Sequence, residues 1–168
     1  GMSPLSAVAV FSTEKACGGT VAVKGKSAEN DVTGTFEEAT EHIVPIYGLY
    51  NNDTTEVVIT LDDGTSATFE VTTEDIGVDY GTIQTEMKSE ASYDYSNLTF
   101  VCSTMGTLYG VDAAGDIRFF TNIGGTLGVH QLENGHLLMP ASYVLKSSYY
   151  KEGMIEVDLL GKIYREYM

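Results

Sequence analysis

The chain has 168 residues, 24 acidic against 9 basic side chains and a net charge of -15, with 43% hydrophobic residues and 18 Gly. That length holds one ordinary domain or two small ones, and with charged residues at only 20% the acidity reflects a shortage of Lys and Arg rather than a disordered polyelectrolyte. So negative a surface repels phosphate backbones and anionic headgroups, which makes nucleic acid and anionic membranes the poorest partners; the apolar runs at 5–11 and 43–50 also fall well short of the roughly 18 residues of a bilayer span.

Gly1-Met2 reads as a remnant of tag cleavage ahead of a cloned start, and no signal peptide can be read after it. Strand signals then follow in chain order. Alternating or β-branched runs fall at 7–11, 20–24, 32–36, 42–50, 56–61 and 67–72, separated by Gly, Asn, Asp and Ser clusters. Such regular short strands are the pattern of an antiparallel sandwich. Gly18-Gly19 reads as a turn, and one or two helical turns are expected around 35–43. Asp62-Asp63-Gly64 lies between the alternating runs VVITL and ATFEV, so it reads as a tight hairpin whose Gly supplies a positive φ. Asn51-Asn52-Asp53 and Asp62-Asp63 offer oxygen ligands for Ca²⁺ but lack the spacing of a calcium loop, which leaves turn formation as their role. Glu37, Glu38 and Glu41 read as a solvated face. Cys17 and Cys102 form no metal motif and read as buried or incidental thiols.

Composition shifts near residue 88: residues 1–88 carry a net charge of -11 and residues 89–168 one of -4, with 89–97 reading as a polar linker. The second half contains a repeat. VDAAGDI at 111–117 and VDLLGKI at 157–163 match at Val, Asp, Gly and Ile at an offset of 46 residues. Between them VHQLENGHLLM makes a hairpin on Asn134-Gly135. A two-residue turn there points His130 and His136 to opposite faces, which excludes a shared metal. His42, His130 and His136 all read as packing or surface residues, and Gly124-Gly125 lacks the Lys and helix of a phosphate loop. A unit of four short strands in under fifty residues has the size of a β-propeller blade. One and a half such blades leave a face uncovered, so either further blades or self-association is expected.

The segments EHIVPIYGLY (41–50), NLTFVCS (97–103), DIRFF (116–120), LENGHLLM (132–139) and above all GMIEVDLLGKIYREY (153–167) resemble the amino-terminal portion of bacterial arylsulfotransferases, which need no nucleotide sulfate donor. The resemblance implies an all-β fold: an Ig-like antiparallel β-sandwich over 1–88, then the first blade, one to one and a half, of a β-propeller over 89–168. It also implies transfer of a sulfuryl group from a phenolic sulfate ester to a phenol through a histidine, in an exported, dimeric enzyme. No cofactor or metal is expected.

In the family, the strand corresponding to KIYREY leads into a His-His-Asp stretch, and the sulfuryl-accepting histidine comes from later blades. The residues of this chain therefore match none of the family's catalytic positions, and it is expected to be inactive alone, with the remaining blades and a second copy as partners. The segment 142–153, SYVLKSSYYKEG, pairs aromatic with positive groups as no other stretch does. Tyrosine faces suit a phenyl ring and lysines a sulfate, so Lys146, Tyr149 and Tyr150 are the expected substrate contacts in the intact enzyme. The alternative is a self-contained secreted module for adhesion or assembly, with the sandwich as its working part.

Overall fold

In the computed structural model, residues 2–79, 83, 98–102, 107–123, 128–140 and 153–167 are described. They are all-β and antiparallel apart from a 3-10 turn at Ala28–Asn30. Strand β1 (Ser6–Val23) and strand β2 (Val32–Tyr47) form one long hairpin, paired from Val23 opposite Val32 to Ser6 opposite Tyr47. The runs predicted separately at 7–11 and 20–24 are thus two halves of one strand, as are those at 32–36 and 42–50 up to Tyr47. Strand β3 (Thr54–Leu61) pairs only with the second half of β1, Gly19–Val23, and strand β4 (Ser66–Thr72) pairs with β3, giving the order β2-β1-β3-β4.

The ladder between β1 and β2 shifts register between Ser12 and Gly19, and there the ribbon folds over itself. Ala7, Ala9 and Phe11 of its first half pack into the same core as Val21, Val23, Val57, Ile59 and Phe69. A single hydrogen-bonded sheet therefore supplies two facing layers. The helical turn expected at 35–43 is instead continuous strand within β2. Pairing along β1 overrides the helical preference of its glutamates, and Glu37, Glu38 and Glu41 lie exposed.

Gly18-Gly19 is likewise not a turn but lies inside β1. A Cβ on Gly19 would come 2.6 Å from Cζ of Phe36, and one on Gly18 2.7 Å from Oδ2 of Asp62. The two glycines are there for close approach at the fold line. The predicted hairpin at 62–64 is present: Leu61 N donates to Thr65 O, Gly64 N donates to Leu61 O at 2.9 Å, and Asp63 Oδ1 accepts from Thr65 N at 2.8 Å. Asp53 Oδ1 accepts from Thr54 N at 2.7 Å, again turn chemistry.

The second half holds two further sheets. Strands β5 (Thr99–Cys102), β6 (Leu108–Val111) and β7 (Ile117–Thr121) form a three-stranded meander, and β8 (His130–Gln131), β9 (Leu137–Pro140), β10 (Met154–Val157) and β11 (Ile163–Tyr167) a four-stranded one. The three-stranded sheet is the middle layer. Val111, Ile117 and Phe120 join the core of the first half, whereas Leu108 and Phe119 pack with Leu137, Met139, Ile155 and Val157 of the last sheet. Every residue of β7 is consequently buried. The linker predicted at 89–97, with the domain boundary at 88, lies outside the described residues.

Candidate functional site at the junction of the halves

The repeated VDxxGxI sequence forms the same turn twice. In the first copy Asp112 N donates to Asp116 O and Gly115 N to Asp112 O, both at 3.0 Å, while Asp112 Oδ1 accepts from the N–H groups of Ala114 and Asp116, also at 3.0 Å. In the second, Asp158 N donates to Lys162 O and Gly161 N to Asp158 O at 3.0 Å, and Asp158 Oδ1 accepts from Leu160 N at 3.0 Å and Lys162 N at 2.8 Å. Gly115 and Gly161 both sit at φ +88, where a side chain would be strained. Aspartate and glycine are thus fixed by the turn itself, in the three-residue hairpin form with a left-handed glycine.

The second carboxylate oxygen meets the side chain six residues on. At Asp158 this is the hydroxyl of Tyr164, which donates at 3.3 Å. At Asp112 it is Arg118, whose Nη1 donates at 3.1 Å. Arg118 is fully buried and reaches across to the first half, where Nε donates to Gly48 O at 2.6 Å and Nη1 to Asn30 O at 2.8 Å and to the Tyr50 hydroxyl at 3.0 Å. Its guanidinium lies 3.9 Å from the centroid of the Tyr50 ring. A buried cation is tolerable only with such a set of acceptors. Nη2 has no acceptor among the described residues.

Lys26 completes the junction. Its N–H donates to the Tyr50 hydroxyl at 2.9 Å, and its Nζ lies 2.8 Å from Asp116 Oδ1 and 5.0 Å from the Tyr50 ring centroid. The hydrogen bond to Asp116 raises the Lys26 pKa, while burial raises that of the Tyr50 phenol. Tyr47 stands toward the second turn: burial first, then the negative charge of Asp158, pushes its phenol up to about 12. A Cβ on Gly161 would lie 2.7 Å from Cβ of Met2, so the amino-terminal segment also rests on that turn. Two tyrosines of the segment 43–50 therefore each face one copy of the repeat.

A second cluster lies on the last sheet. His136 Nδ1 is 2.8 Å from Glu156 Oε1, which also accepts from Asn134 Nδ2 at 3.3 Å, while Arg165 Nη1 donates to Glu156 Oε2 at 3.2 Å. The His136 hydrogen bond is the main cause holding the Glu156 carboxyl below its usual range. The His136 ring stacks on Tyr164 at 4.3 Å. This is a histidine oriented by a carboxylate, without a nucleophile beside it among the contacts described. No group of three His, Cys, Asp or Glu side chains able to hold a metal occurs among the described residues.

The predicted opposition of His130 and His136 is corrected by the register. Leu132 N donates to His136 O and His130 stands opposite Leu138, so the turn has three residues, Glu133 to Gly135, rather than two. The one-residue slip puts both histidines on the same face. They still do not act together, since His136 is held by Glu156 and His130 is exposed. His42 is buried, stacked on Phe11 at 4.6 Å. The expected substrate contacts Lys146, Tyr149 and Tyr150 lie outside the described residues. What the sequence reading missed is Arg118. Its signal was a lone charge inside the apolar strand IRFFT, six residues after the repeated aspartate.

Two family models match in succession: the arylsulfotransferase Ig-like domain over residues 1–80 and arylsulfotransferase (ASST) over residues 83–168. The chain belongs to the arylsulfotransferase family, of which it represents an amino-terminal portion, and the Arg118 junction joins the two matched segments. A search of curated proteins finds no match. Among the described residues no helix is long and apolar enough to cross a membrane.

Proposed function

We propose that this chain is the sandwich and opening propeller blades of an exported, homodimeric enzyme that moves a sulfuryl group from a phenolic sulfate ester to a phenol. The observation that carries this reading is the succession of both family matches along the chain; the four-stranded meander β8 to β11, of blade form, supports it. In this reading a histidine of a later blade carries the sulfuryl group. His42, stacked in the core, and His136, engaged by Glu156, are committed elsewhere, and His130 lacks an orienting partner among the contacts described. In the same reading Lys146, Tyr149 and Tyr150 are the substrate contacts of the intact enzyme, since aromatic rings suit a phenyl group and an ammonium group suits a sulfate.

An assay with 4-nitrophenyl sulfate as donor and phenol as acceptor tests the proposal. The polypeptide of residues 1–168 is expected to release no 4-nitrophenolate, and a polypeptide continuing through further blades is expected to release it. Release by the shorter chain would move the carrier histidine into it, and silence of the longer one would overturn the assigned reaction.

A further inference from the structure

Between the two layers of the first half lies a cavity of about 420 Å3, half open to solvent, walled by Ala9 and Phe11 of β1 and by Ile59, Leu61, Ala67 and Phe69 from β3 and β4. Its origin is the folded ribbon. Because β3 pairs only with Gly19–Val23, the first half of β1 faces β3 and β4 across the layers without sharing their ladder. One wall is braced from behind: Phe11 stacks on buried His42 at 4.6 Å and 20°, and meets Phe36 edge-on at 6.0 Å. His42 Nε2 in turn lies 3.4 Å from the hydroxyl of Thr13 at the rim. The space is preformed by contacts that do not depend on an occupant.

Its chemistry is selective. The volume falls within the roughly 300–1,000 Å3 of small-molecule sites, and two phenylalanines line it. The polar residues that line it are Ser12, Thr13, Thr65 and Ser66, and no charged residue lines it among the described residues, in a chain of net charge -15. An anion would have to lose its hydration there without a cation and against the field of the acidic surface. A neutral ring loses nothing comparable and gains the apolar walls. We propose that this cavity is a binding site for a neutral aromatic molecule of one or two rings. The inference does not depend on the reaction assigned above.

The test is a fluorescence titration of the whole chain with the neutral probe N-phenyl-1-naphthylamine, set beside its anionic relative 8-anilino-1-naphthalenesulfonate. Saturable one-to-one binding of the neutral probe is expected, at least about tenfold tighter than the anionic one. Ala67→Phe, which fills the cavity from β4, is expected to weaken it by about tenfold or more. Thr65→Trp, placed at the mouth, gives the same reading should Ala67→Phe fail to fold, with circular dichroism checking both. Ile43→Ser removes an exposed apolar side chain elsewhere on the ribbon and is expected to leave binding unchanged. No saturable binding, equal binding by a folded filled variant, loss in Ile43→Ser, or equal affinity for the anionic probe would each overturn the proposal.

Discussion

At Asp112 and at Asp158 the backbone makes the same set of hydrogen bonds around a glycine at φ +88, yet one carboxylate meets a guanidinium and the other a phenol. Arg118 is 0% exposed and spends its remaining bonds on Gly48, Asn30 and Tyr50 of the first half. Tyr164 is 47% exposed and stacks on His136 of its own sheet. The lesson is a separation of roles: Asp and Gly build the turn, and the residue six positions on decides what the turn is fastened to.

The comparison breaks most sharply at Arg118. Arg118→Tyr, which installs the side chain of the second copy, strands the Asp112 carboxylate and two buried carbonyls. It is expected to cost about 3–5 kcal/mol in urea unfolding, whereas Tyr164→Phe is expected to cost about 1 kcal/mol. Losses of similar size would show that the two turns are used alike. Glycine comes next. Gly161→Ala and Gly135→Ala both force a side chain into the left-handed region, about 1–2 kcal/mol each, but only Gly161 has Met2 in the way, so its loss of melting temperature should be the larger.

The titrating groups around the second turn sharpen the same contrast. Tyr47 keeps its proton to about 12 in the folded chain against about 10 unfolded. The stability it contributes is therefore present below pH 10 and lost as pH rises toward 12. Unfolding of Tyr47→Phe followed across that window should show a shallower alkaline loss than the parent. Glu156 has the opposite sign: its carboxyl is depressed chiefly by His136, so its contribution is present above the ordinary glutamate range and fades as pH falls. His136→Phe should flatten the acid limb of a stability profile, the smallest of these effects because neighbouring Asn134 and Arg165 also hold the carboxylate.

Where order was local, the sequence was legible. Asp62-Asp63-Gly64 announced its hairpin because the glycine and the acceptor side chain lie within the turn, whereas the two VDxxGxI copies were legible as a repeat and not as the turns they form. The residues at 35–43 misled because the preference for strand there comes from β1, a partner remote in sequence, and Gly18-Gly19 because a close approach by Phe36 and a turn both select glycine. The histidine faces hung on one residue of loop length that Asn134-Gly135 alone does not specify. Arg118 was hidden for a related reason: two of its acceptors are main-chain oxygens, of Gly48 and Asn30, which no side-chain pattern displays.

The folded ribbon of β1 and β2 also sets an order of assembly. Its ladder starts at Val23 opposite Val32, across the short segment 24–31, and each later pair closes only a slightly longer loop than the one before. Chain entropy is thus lost in small steps, as in a zipper, rather than in one long search for a distant strand. By the time the ladder reaches Ser6 and Tyr47, both layers already belong to one continuous ribbon, and collapse about the bend brings them face to face without a separate docking event.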